Sequence, residues 1–201
     1  MCLSARKCVP SFAPMPSSDT TIAETRAWVE RAVIGLNLCP FAKAVHARNQ
    51  VRYVLSQATD EEGLLAELAE EMQRLVATDP AEIDTTLLVH PQLLNDFLDF
   101  NDFLGMADAA LEQLGLEGVL QVASFHPRYQ FAGTDVDDIA NATNRSPYPT
   151  LHLLREASVD RAVAAFPAAE AIYENNMRTL EELGPDGWTA LQAQCRADAL
   201  K

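Results

Sequence analysis

Apolar residues recur at helical spacing near the start of the chain. Ile22, Trp28, Val29, Ala32, Val33 and Leu36 define one helix face. Asp19-Thr20-Thr21 precedes them, and Glu24 stands three residues after Thr21, the spacing of a capping box. The pattern breaks at Leu38-Cys39-Pro40. Because proline favours the first turn of a helix, a second short helix over 40–45 is expected, with Cys39 as its cap. Residues 51–56 alternate and are rich in β-branched and aromatic types, which predicts a strand. From 60 to 76 the pattern is amphipathic. Leu64, Leu65, Leu68, Met72, Leu75 and Val76 are expected inside, and Glu61, Glu62, Glu67, Glu70 and Glu71 outside. A short buried strand over 85–89 closes at His90-Pro91. A helix then runs from Leu93 or Asp96 to Leu114, with Gly115 as its stop. Phe97, Phe100 and Phe103 recur within it and read as core.

A third strand is predicted over 119–125 and a fourth over 150–154, with two helical segments, 159–165 and 168–183, after them. Strands alternating with helices call for parallel crossovers, whereas the long loop between strands three and four points to an antiparallel part. The expected fold is α/β, a compact sandwich with a four- to five-stranded mixed, partly parallel sheet covered by helices. Residues 1–18 are rich in Pro and Ser and are expected to be an unstructured tail. A single α/β domain is expected over 19–184. Gly184-Pro185 is expected to end its last helix, with 185–201 as a partly helical extension.

Composition adds exclusions. The 201-residue chain is 48% apolar, enough for one well-buried domain. A net charge of −14 opposes a nucleic-acid partner, because phosphate backbones are held by clustered Lys and Arg. The longest apolar runs are too short to span a bilayer, so no membrane partner is expected. Arg6 and Lys7 are followed by no apolar stretch of the secretory kind, and the four cysteines show no metal-ligand spacing. A reducing cytoplasm is the expected location. No motif names a cofactor, and nothing in the pattern fixes the oligomeric state.

The polar residues worth chemistry concentrate between Ser124 and Glu156. His126 ends the third strand, where ligands of parallel sheets tend to bind. It reads as a general base or metal ligand, or as a histidine that locks the Pro127 turn. His90 also ends a strand before a proline, and the two dipeptides either meet at one sheet edge or form independent turns. Arg128, Arg145 and Arg155 suit a carboxylate or phosphate, or else pair with Asp135, Asp137, Asp138 and Glu156. Tyr129 and Asn144 lie among them, Asn144 in a stretch whose two prolines fix the backbone. His152 and Glu156 are four apart, a ligand spacing only on a helix. A metal held by His126, His152 and Asp135 or Asp138 is the alternative use. Cys39, ahead of a proline-started helix, would lie near free backbone N–H groups that favour thiolate. It reads as a nucleophile or redox thiol, or as a small apolar filler.

Three runs carry a family resemblance: Trp28 to Phe41 with its NLCPFA ending, SFHPRYQFAGT, and TNRSPYPTLHLLRE with the Ala-Ser-Val that follows. Through them the chain resembles the mainly bacterial family catalogued as domain of unknown function 1415, over about residues 20–183. The resemblance implies a compact cytosolic domain and no particular reaction. The functional expectation therefore rests on residue chemistry. It is a small intracellular enzyme acting on an anionic small molecule, with Cys39 and His126 catalytic and Arg128, Tyr129, Asn144, Arg145, His152 and Arg155 binding substrate. The alternatives are a non-catalytic binder of an anionic metabolite or protein partner, and a metal-binding protein using His126 and His152.

Overall fold

The computed structural model describes residues 18–165 and 171–201. The expected tail up to residue 17 and the expected helix start at 168–170 lie outside the described residues. Four strands form one sheet: β1 (Val51–Leu55), β2 (Thr85–Val89), β3 (Leu120–Phe125) and β4 (Thr150–Arg155), in the order β1-β2-β4-β3. β1 and β2 are parallel, and β4 runs antiparallel to both β2 and β3. The sheet is therefore mixed and partly parallel, as the alternation of elements implied. Its last strand enters the middle. The long 126–149 excursion joins β3 to β4, its antiparallel neighbour, and β4 fills the place between β3 and β2.

Each face of the sheet carries helices. On one, α3 (Glu61–Ala77) and α4 (Phe97–Gln113) pack Leu64, Leu68, Met72, Phe100 and Phe103 against Leu88, Leu120, Leu151 and Leu153. An aspartate caps each helix: the Asp60 carboxylate accepts from Gly63 N–H at 2.8 Å, and Asp96, the later of the two expected starts of α4, from Leu98 N–H at 2.9 Å. The inner face of α3 departs from the simple amphipathic reading. Glu71 is buried and Val76 is exposed. Arg52 on β1 accounts for this, since it reaches Glu71 with two hydrogen bonds of 2.7 and 3.0 Å and so lets a carboxylate replace an apolar side chain.

The other face carries α1 (Ser18–Trp28), a π-helical turn over Val29–Ile34, α2 (Ala42–Ala47) and α6 (Ile172–Asp198). Trp28, Ala32, Leu180, Trp188 and Cys195 pack there with Leu87. α1 begins at Ser18, upstream of the expected Thr21 cap, and α2 begins two residues after Pro40. Gly184-Pro185, where the last helix was expected to end, is a kink within α6, and the run after it is helical to Asp198. Gly184 has φ 66 and ψ 172, a conformation open essentially to glycine, and Pro185 then starts a second helical run as its first residue. Trp188 and Cys195 bring that run into the core. α5 (Glu156–Ala165) follows β4 directly and contains no buried residue.

Candidate functional site

The polar residues of the 124–149 segment are spent on irregular backbone, its own and that of the neighbouring 93–96 turn. His126 is fully buried. Its Nδ1 accepts from Arg128 N–H at 3.0 Å, which leaves Nε2 as the protonated nitrogen that donates to the Leu94 carbonyl at 3.1 Å. Burial lowers its pKa, and both ring nitrogens are already committed. His90 comes to the same place: both imidazoles stack on Phe100, at 5.7 and 5.2 Å between centroids. His90 donates from Nδ1 to the Leu93 carbonyl at 3.2 Å, and burial pushes it down to about 4. The two His-Pro dipeptides therefore meet, in packing around a phenylalanine.

Backbone carbonyls take the arginines. Arg128 donates to the Asn95 carbonyl and, at 3.3 Å, to Asp96. Arg145 donates to the Tyr129 and Val136 carbonyls, at 3.2 and 2.6 Å. Arg155 donates to the Leu75 carbonyl, and at 2.7 and 3.0 Å to those of Thr78 and Ile83, tying β4 to the end of α3. Asn144 donates to the Ser124 carbonyl, and the Tyr129 ring packs on Phe97 and Phe131. Asn141 is the buried hub. Its side chain accepts from Phe131 N–H and the Thr134 hydroxyl and donates to the Asp135 carbonyl. Beside this segment lies a crevice of about 20 Å³, bordered by Arg145, Ser146 and Pro147, with room for little more than a water.

The large opening is elsewhere. A cavity of about 590 Å³ lies over the sheet face away from α3 and α4. Its floor is Thr85 and Leu87 of β2, Gln121, Ala123 and Phe125 of β3, and His152 and Leu154 of β4, which share one face by strand alternation. Trp28, Val29 and Val33 supply one wall. In the π-helical turn they belong to, the Gly35 N–H reaches back five residues to the Glu30 carbonyl, and such turns often mark sites. Cys39, Phe41 and Val45 supply a second wall, and Val159, Ala162 and Ala165 of α5 a third. Those three α5 residues recur at helical spacing, so the apolar stripe of a helix with no buried residue faces the cavity.

Cys39 and His152 both border this cavity, whereas His126 packs on Phe97 and Phe100 of α4 across the sheet. The structure does not bring Cys39 and His126 together. Nor do His126 and His152 meet, and among the described residues no group of three or more His, Cys, Asp and Glu is placed to hold a metal. His152 lies on a strand, so its spacing to Glu156 is not that of a helix face.

The chemistry of His152 can be read from its neighbour. The Thr85 hydroxyl lies 2.6 Å from both His152 Nε2 and the Leu153 carbonyl. A hydroxyl has one proton, and the carbonyl can only accept it. Nε2 must therefore donate to Thr85, leaving Nδ1 as the acceptor nitrogen of the ring. Burial pushes His152 down to about 4. Burial also pushes the Cys39 thiol up, and the Phe41 and Ala42 N–H groups beside the sulfur offset only part of that. Both groups are neutral near pH 7. Proton transfer from a thiol held above its ordinary range to an imidazole near 4 is strongly uphill.

A family model described as protein of unknown function (DUF1415) matches residues 20–190. The chain belongs to the DUF1415 family. No curated protein and no solved structure matches it. The DUF1415 match spans the π-helical turn, Cys39, the four strands and α5, so every residue named on the cavity lies within it. Of those residues, Cys39 and His152 are candidates the sequence singles out, as is Arg155, which also borders the cavity. Thr85, Gln121 and Ala123 are not, and the signal that would have found them is strand alternation combined with the strand order, which places them beside His152.

Proposed function

We infer that this protein binds a small, largely apolar molecule in the cavity over the sheet. The observation that carries the reading is a mostly apolar cavity of about 590 Å³ whose floor holds the His152 imidazole, fixed by Thr85 with Nδ1 as its acceptor. Ligand sites have this form, an apolar lining with a few polar groups that fix orientation. A bare Nδ1 accepts a hydrogen bond, so the ligand presents a donor to it, a hydroxyl or an amide N–H. Thr85 holds the tautomer that makes this possible.

The neutral thiol and the weakly basic imidazole favour binding over nucleophilic catalysis. In this reading Cys39 is a small polarizable wall residue, and the 124–149 segment is a structural brace for the far sheet edge. The Cys39 and His126 pair expected from sequence has no part in it.

The test is fluorescence titration with a dansylated undecanol, for the protein and for Ala123→Phe. Ala123 sits on the cavity floor, so a phenyl ring there takes the ligand's space. The expected result is saturable binding that is lost in Ala123→Phe, with a melting temperature no lower than that of the parent. Binding unchanged by the substitution would place the probe elsewhere and sink the reading.

A further inference from the structure

Among the described residues, the charged side chains bordering the cavity are three arginines, Arg48, Arg155 and Arg161, against one aspartate, Asp84. This is opposite in sign to the chain as a whole, whose net charge is −14. The four are not equivalent. Arg155 is held by three backbone carbonyls, and Asp84 accepts from Ser158 at 2.6 Å. Arg48 and Arg161 are exposed at the mouth and form no ion pair among the described residues. Arg48 makes one bond of 2.7 Å to Gln50 and Arg161 one of 2.9 Å to Ser158, both to neutral side chains. Each retains further N–H groups. They belong to different walls, Arg48 at the end of α2 and Arg161 on α5.

We propose that the natural ligand is an amphipathic oxyanion, whose apolar body lies along the sheet and whose acidic head is held at the mouth by Arg48 and Arg161. The proposal rests on the small-molecule reading above and adds the ligand's class. An acidic protein repels anions at long range, so an anionic ligand needs a local reversal of sign at the point of entry, and the mouth supplies one. A guanidinium binds carboxylate or phosphate oxygens in pairs, and the same oxygens at an apolar wall would go unsatisfied. Charge and shape thus select one molecule type. A neutral hydrocarbon leaves the arginines unused, and a small polar anion leaves the cavity floor unfilled.

The experiment compares a dansylated undecanoate with the dansylated undecanol of equal length, each titrated into the full chain and into the double variant Arg48→Gln/Arg161→Gln. Unlabelled undecanoate and undecyl phosphate serve as competitors that separate a carboxylate head from a phosphate head. The expected result is that the acid binds about tenfold or more tightly than the alcohol, since a charge-assisted hydrogen bond contributes about that factor. The double variant is expected to lose that preference while its affinity for the alcohol changes by less than about twofold. Equal affinity of the parent for acid and alcohol would overturn the proposal yet leave the cavity reading standing. Failure of both probes to bind would overturn the cavity reading itself. Displacement of the acid by a peptide of residues 1–17, or weakening of its binding as protein concentration rises, would overturn the proposal by making the chain itself the occupant.

Discussion

Lowering the pH from 7.5 to 5 should destabilise this protein through its buried histidines, and the size of the loss can be worked out. His90 and His152 each fall from an ordinary 6.5 to about 4 because burial penalises the charged ring. The unfolded chain binds a proton at each site as the pH drops through 6.5, whereas the folded chain resists until about 4. Stability is therefore complete above 6.5 and is lost between 6.5 and 4. At pH 5 each site should have cost about 2 kcal/mol, and the pair about 4 kcal/mol. His126 is shifted the same way and adds to the loss. A typical domain has about 5–15 kcal/mol in total, so the effect is large enough to see directly.

The assay is urea unfolding at the two pH values, followed through the buried Trp28 and Trp188. The informative variant is His90→Asn, whose side-chain N–H can replace the donor to the Leu93 carbonyl but does not titrate. Its absolute stability falls with the lost stacking on Phe100, but the pH difference is the readout. That difference should shrink by about 2 kcal/mol relative to the parent. A parent equally stable at both pH values, or a His90→Asn protein that loses as much as the parent, would refute the reasoning.

Other perturbations read other parts of the structure. Asn141→Ala removes three hydrogen bonds at the centre of the 126–149 segment and should cost about 2–3 kcal/mol in urea unfolding, with faster exchange of the Phe131 amide. Gly184→Ala forces a side chain into a conformation with φ 66 and should lower stability by about 1–3 kcal/mol. Cys39 should alkylate more slowly at pH 8 than a free thiol, with a rate that keeps rising above pH 9 and falls when undecanoate is bound. A fast reaction that levels off below pH 8 would mean a thiolate and contradict its raised pKa.

Much of the fold could be read along the chain because its signals are local. The strands at 51–56, 85–89 and 119–125 fall within a residue of those observed, and Asp60 and Asp96 cap the helices they precede. Failures occurred where a distant residue decides. Glu71 is inside because Arg52 is across from it, and the insertion of β4 between β2 and β3 depends on pairings that no window of sequence contains. The candidate site shows the same limit more sharply. The polar residues of 124–149 stood out because they are unusual in a core, yet their task is to supply hydrogen bonds that irregular buried backbone lacks. The cavity has no signature along the chain because its lining is ordinary: apolar residues scattered from Trp28 to Ala165, joined only by the folded sheet and the helices over it.

Burial of an apolar ligand body over the sheet leaves a calorimetric signature, a negative heat-capacity change on binding. The most direct measurement is the enthalpy of undecanoate binding at several temperatures, for the parent and for Ala123→Phe. The account predicts an enthalpy that becomes steadily more negative with temperature in the parent, and no binding heat in Ala123→Phe. A binding enthalpy independent of temperature, or the same heat-capacity change in both proteins, would contradict it.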